Sequence, residues 1–275
     1  MKGEHKMRLK VPWKTFPLVV AVFMGICLSA PATIAADLPA SAKTAADYWL
    51  SVEGTDCQVW SDEPLAKGEI IRWRGGCSEG KFSGNGVLEV FAGDKRTLRF
   101  EGTMRSGRAE GPGKVEAAVK DGTERYDGGF TNGFFEGYGA YELSDGSRYE
   151  GGFRNDKPDG FGVYKGADGN IFQGEIKDGQ PQGKGFRVWP NGEQYEGAFV
   201  KGKQQGTGTL LFPNGDVYEG QFGDDKASGA GKFTAADGTV FAGQWRDGKA
   251  EGTFTVTKPD GLREEQVWKN DQRVN

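Results

Sequence analysis

Carboxylates recur in this chain at a fixed interval. Glu150, Glu196 and Glu219 each follow a tyrosine and precede a glycine, at separations that are multiples of 23 residues. Placed carboxylates can do general acid–base chemistry. Asp-Gly pairs such as Asp145-Gly146 and Asp168-Gly169 invite a calcium reading, and the many Gly-x-Gly pairs invite a phosphate-cradling one. None of these chemistries fits the surrounding pattern. The carboxylates share one slot of a repeat and point away from its aromatic face by strand parity, which puts them on a solvated sheet surface. Calcium β-rolls need a nine-residue G-G-x-G-x-D repeat, and a phosphate loop needs a helix after it. The sequence has neither. We therefore expect no catalytic residues, no metal site and no cofactor, hence no enzyme.

The front of the chain reads as an export signal spanning residues 1–36. Lys2, Lys6, Arg8, Lys10 and Lys14 form a positive region, Pro17 to Ser29 is apolar, and small residues lead to a cleavage point after Ala35 or Ala36. That segment holds five of the 35 Lys/Arg and one of the 39 Asp/Glu, so the remainder carries 30 and 38, net −8. It also holds His5, the single histidine. An exported chain without histidine has no Ser–His or Cys–His nucleophile pair and no histidine zinc site. Its acidity makes nucleic acid and anionic lipid poor partners. Cys57 and Cys77 remain as an even pair, and an oxidising compartment predicts a disulfide between them. The expected location is the periplasm of a Gram-negative cell, and otherwise the exterior.

Behind the leader, residues 37–47 are Ala-rich and read as a tether. Residues 48–72 carry short β-type runs and read as an irregular N-terminal cap. From Trp73 the chain is periodic. Aromatic anchors stand at Trp73, Phe100, Tyr126, Tyr149, Phe172, Tyr195, Tyr218 and Phe241, each followed by glycine two residues on. From Tyr126 onward the step is 23; the first two steps are 27 and 26, with the extra residues expected in the turn after the second strand. A Gly-x-Gly follows in each of the first seven repeats, and Phe254 breaks the pattern in the eighth. Of the 46 glycines, 42 lie from residue 73 onward. Glycine weakens a strand, so such density points to a steric need: aromatic rings lying over strands that have no Cβ. Asn-Gly and Asp-Gly pairs mark tight hairpin turns. The reading is an all-β, elongated, single-layer antiparallel β-hairpin ribbon of about eight repeats over residues 73–263, closed by a half-repeat cap at 264–275.

The segments Y-E-G-G-F-R-N-D-K-P-D-G-F-G-V-Y from Tyr149 and Y-E-G-A-F-V-K-G-K-Q-Q-G-T-G-T-L from Tyr195 resemble MORN (membrane occupation and recognition nexus) repeats. The resemblance implies a curved β-ribbon that serves as a protein-interaction or dimerisation scaffold; some members of that family are proposed to bind phospholipid. The family often has histidine before Gly-x-Gly. Here that slot holds Ser83, Glu110, Glu136, Asp159, Gln182, Gln205, Ser228 and Glu251, which argues with the net charge against lipid headgroups.

One feature is not shared by the copies. Tyr138, Phe161, Val163 and Phe186 fall on the face opposite the anchors, where most repeats have small or polar residues, and Phe134 and Phe135 lie in the neighbouring loop. Together they form a candidate surface for a protein partner or for self-association. Binding of a cell-envelope glycan or of a phospholipid surface are the alternatives. Arg187 stands in an anchor slot, and a register shift there would flip Phe186, Val188 and Trp189.

Overall fold

The computed structural model describes residues 48–274 apart from residues 53 and 63; the leader and tether expected at 1–47 lie outside the described residues. Every regular element among them is a β-strand, and they divide into two compact units, 48–158 and 159–274.

The first unit contains β1 (Tyr48–Ser51), β2 (Gln58–Ser61), β3 (Glu69–Ser78), β4 (Lys81–Ala92), β5 (Lys95–Arg105), β6 (Arg108–Val119), β7 (Gly122–Thr131), β8 (Phe134–Glu142) and β9 (Arg148–Arg154). From β3 to β9 each strand pairs antiparallel with the next. The second unit holds most of β10 (Lys157–Lys165), then β11 (Ile171–Lys177), β12 (Gln180–Val188), β13 (Gln194–Val200), β14 (Lys203–Leu211), β15 (Val217–Gly223), β16 (Lys226–Thr234), β17 (Val240–Arg246), β18 (Lys249–Thr257), β19 (Arg263–Lys269) and β20 (Gln272–Arg273). It is again a succession of antiparallel neighbours.

The glycine slots have the steric cause expected of them. A Cβ built on Gly197 or Gly208 would collide with the Tyr195 ring, and one on Gly220 or Gly231 with Tyr218. The paired glycines Gly197↔Gly208 and Gly220↔Gly231 form a bare floor for the ring. Beyond that floor the strand bulges between Gly197 and Phe199. The Tyr195 hydroxyl donates to the bulged carbonyl of Ala198 at 3.1 Å, and Tyr126, Tyr149 and Tyr218 donate likewise to Gly129, Gly152 and Gln221 at 2.9, 2.9 and 3.0 Å. In the eighth repeat Phe254 takes the second glycine's place, and its own ring lies over Gly243. The rings interlock edge to face: Tyr195 meets Phe199 at 5.1 Å and Phe222 at 5.0 Å, and Tyr218 meets Phe222 and Trp245 at 5.2 Å. Such contacts add ~0.5–1.5 kcal/mol each beyond simple burial.

The structure redraws two sequence expectations and settles the register at Arg187. The extra residues of the first two repeats do not enlarge a turn. They lengthen β4, β5 and β6 to 12, 11 and 12 residues, with Glu89↔Arg99 and Val90↔Leu98 in the added ladder. The N-terminal cap is a regular hairpin, β1 against β2, and residues 69–72 already belong to β3. Its β2 does not extend the ladder edge as a cap on an open sheet would. It runs along the row of turns within repeats, where Gln58 N–H donates to Gly80 O at 2.9 Å and Trp60 N–H to Gly107 O at 2.8 Å. Arg187 keeps the register. It pairs with Phe172 and Tyr195 and stays in the anchor slot, 4% exposed, with its Nε donating to Asn170 Oδ1 at 3.1 Å.

Candidate functional site

The cap closes on the first repeat through sulfur. Cys57 and Cys77 are joined, with Cα atoms 6.1 Å apart. Trp60 then covers Gly133 and meets the Phe134 ring edge-on at 5.2 Å. Phe134 is thus half-buried under the cap. Phe135 leaves the candidate surface altogether. It is 1% exposed and stacks on Tyr126 at 3.7 Å. Strand β8 already begins at Phe134, so the two phenylalanines point to opposite faces and Phe135 joins the aromatic core.

Its backbone N–H donates to Asp156 Oδ1 at 2.7 Å. Asp156 sits in the Asn155-Asp156 turn, both residues at positive φ (47° and 65°). Asp225 and Asp271 occupy the same turn position and accept from the N–H groups of Gln204 at 2.7 Å and Ala250 at 2.6 Å. Burial pushes the Asp156 carboxyl up to about 6 against the pull of the Phe135 N–H, with Asp62 and Glu136 nearby adding to the rise. Asp225 is raised to about 6, again chiefly by burial. The sequence pattern of Asn-Gly and Asp-Gly turns does not reveal these aspartates, whose partners lie 21 residues away.

Tyr138 and Phe161 are the most exposed large rings of the molecule among the described residues, at 68% and 61%. They belong to different units. In the second unit, Phe161 and Val163 on β10 lie opposite Glu175 and Gln173 on β11, and Gln173 lies opposite Phe186 on β12. Val163 and Phe186 are half-buried.

In the first unit Tyr138 forms one wall of a groove of about 390 Å³ that crosses β6 to β9. Ala140 is part of its lining, together with Val115, Tyr126 and charged side chains of β6, β7, β8 and β9. The Tyr138 hydroxyl donates to Glu150 Oε1 at 2.8 Å, and this bond raises its titration point; Arg148 holds the other Glu150 oxygen at 3.1 Å. Lys114 Nζ lies 2.8 Å from Asp127 Oδ2, and its charge is held to higher pH by that bond. A chain of alternating charge crosses the same face: Arg74–Glu89 3.0 Å, Glu89–Arg96 3.1 Å, Arg96–Glu116 3.5 Å, Glu116–Arg125 3.7 Å and Arg125–Glu142 3.5 Å. The groove has no sequence signature, because it arises from side chains on four strands. Among the described residues no group of His, Cys, Asp and Glu is arranged to hold a metal, and no helix is long and apolar enough to cross a membrane.

A MORN repeat family model matches residues 126–148, 149–171, 172–194, 195–217, 218–240 and 241–263. The chain belongs to the MORN repeat family. The matched copies begin at Tyr126; the two longer repeats before it share the anchors and glycines but not the 23-residue spacing. A search of curated proteins finds no match. Among solved structures, the chain is similar to the SAS-4 (dCPAP) TCP domain of Drosophila melanogaster, determined in complex with a proline-rich motif of Ana2 (dSTIL). The identity is 17%, covering 57% of this chain and 84% of that one, with a TM-score of 0.36. A streptogramin B lyase is similar at 12% identity over 74% and 75% of the chains, with a TM-score of 0.16. Likeness at this level carries no inference about what this chain binds.

Proposed function

We propose that the protein is an exported, non-enzymatic MORN scaffold that binds a protein partner or a second copy of itself through the face carrying Phe161. The supporting observation is Phe161, a large apolar ring 61% exposed on a folded strand. Val163 and Phe186 lie beside it on the same face. Apolar surface left in water forgoes about 25 cal/mol per Å², which association would recover. Export is supported by the charge and hydropathy order of residues 1–36 and by the Cys57–Cys77 bond, which suits an oxidising compartment. The net charge of −8 after removal of that segment disfavours anionic lipid.

The test is sedimentation velocity over a range of concentrations, together with photo-crosslinking from position 161 in envelope extracts. Association or crosslinking should be lost in the double variant Phe161→Ser, Phe186→Ser and kept in Thr207→Ser. Capture undiminished by the double variant would sink the assignment of this face.

A further inference from the structure

We propose that the groove beside Tyr138 in the first unit is a binding site for a neutral pyranose ring of an oligosaccharide. The hollow exists because of Ala140. Its partners across the ladder are Asp127 on β7 and Glu150 on β9, so a methyl group stands among long side chains. The resulting volume, about 390 Å³, falls in the range of small-ligand sites.

The wall is a presented aromatic ring. Across the ladder from Tyr138 stands Gly152, which has no side chain to cover the ring. The bond from its hydroxyl to Glu150 holds the ring in place. An aromatic face carries negative partial charge. It attracts the polarised C–H groups on the apolar side of a sugar ring, and stacking of this kind needs an exposed ring rather than a buried one.

The rest of the lining selects against ions. It holds three cations, Lys114, Arg125 and Arg148, and three anions, Glu116, Asp127 and Glu142. A ligand of either sign meets as much repulsion as attraction there. A hydroxyl both donates and accepts, so it can use both kinds of neighbour. The guanidinium has five donors, the ammonium three and each carboxylate about four acceptor sites. All six are ion-paired, through Lys114–Asp127 at 2.8 Å, Arg125–Glu116 at 3.7 Å, Arg125–Glu142 at 3.5 Å and Arg148–Glu150 at 3.1 Å, and these pairs engage only part of that capacity. A polyhydroxylated neutral ring is the ligand class that matches a stacking wall and a charge-balanced lining together. This site lies in the other unit from Phe161, so either assignment can fail without the other.

The experiment is calorimetric titration of the purified exported protein with chitotetraose, cellotetraose and laminaritetraose, with tetragalacturonate and the tetramer of glucosamine as anionic and cationic comparators. At least one neutral sugar should bind saturably, and more tightly than both comparators. Ala140→Trp, which fills the hollow while keeping every polar group, and Tyr138→Ala, which removes an exposed ring, should each weaken binding at least about tenfold. Thermal unfolding of both variants establishes that they fold, and Tyr138→Ala serves should the tryptophan variant not. Absence of saturable binding to all three neutral sugars would overturn the proposal. So would preference for a charged tetramer, or binding unchanged in a folded Ala140→Trp or Tyr138→Ala variant.

Discussion

Tyrosine and phenylalanine are not equivalent in the anchor slot. The ring fills the same space, but only tyrosine reaches the carbonyl that the bulge turns out of the ladder. Tyr195→Phe should therefore cost about 1 kcal/mol, the net worth of one hydrogen bond, measured as a fall in the urea midpoint at unchanged slope. Gly208→Ala should cost more, ~1–3 kcal/mol, because its methyl group would meet the Tyr195 ring. A smaller loss in Gly208→Ala than in Tyr195→Phe would contradict the steric reading. Asp156 has the opposite character, an anion held where burial disfavours it. Its native carboxyl titrates near 6, above the ~3.9 of an unfolded chain, so the native state binds more protons in that window. Stability from this group is therefore present at low pH, falls as pH rises from about 4 to 6, and stays reduced above that. Asp156→Asn keeps an acceptor for the Phe135 N–H and removes the charge. It should stabilise the protein by ~1–2 kcal/mol at pH 7.5 and by little at pH 4. Chemical denaturation of both proteins at the two pH values checks this, and a variant less stable at pH 7.5 would refute it.

The β1–β2 hairpin shows how an element acquires a role that its own residues do not state. Its two short strands pair with each other, and β2 also donates to turn carbonyls of the repeats, partners that no local pattern announces. The Cys57–Cys77 bond closes a loop of 20 residues and fixes the start of β2 against β3. Replacing both cysteines with serine should lower stability by about 3 kcal/mol in the chain-entropy model. Hydrogen exchange should accelerate at Gln58 and Trp60, the amides that reach the turns, before it does in β13 to β16. Uniform acceleration throughout the chain would contradict a local clamp. Intact mass with and without reductant reports the bond itself.

Across the molecule, repeats share a core and differ in the face turned away from it. The first unit lines that face with paired charges around a hollow at Ala140. The second sets Phe161, Val163 and Phe186 among its charges, with Phe161 opposite Glu175 and Phe186 opposite Glu196. Much of this arrangement was legible in the chain. The period, the anchor and glycine slots and the outward direction of Tyr138 and Phe161 all follow from alternation along single strands. Phe135 was not placed correctly, because its face depends on where β8 leaves its turn. Nor was the groove, because Ala140 is one alanine among many until Asp127 and Glu150 are set beside it.

What the sequence alone determined is the repeated unit: positive φ at tight turns, two-residue alternation and the need for glycine beneath a ring are local, and each copy carries them within 23 to 27 residues. Only the tertiary structure decided which surfaces differ. The path of β2 over the turns and the hollow beside Tyr138 depend on contacts between residues on separate strands. No periodic pattern encodes such contacts, because each occurs where one copy departs from the rest.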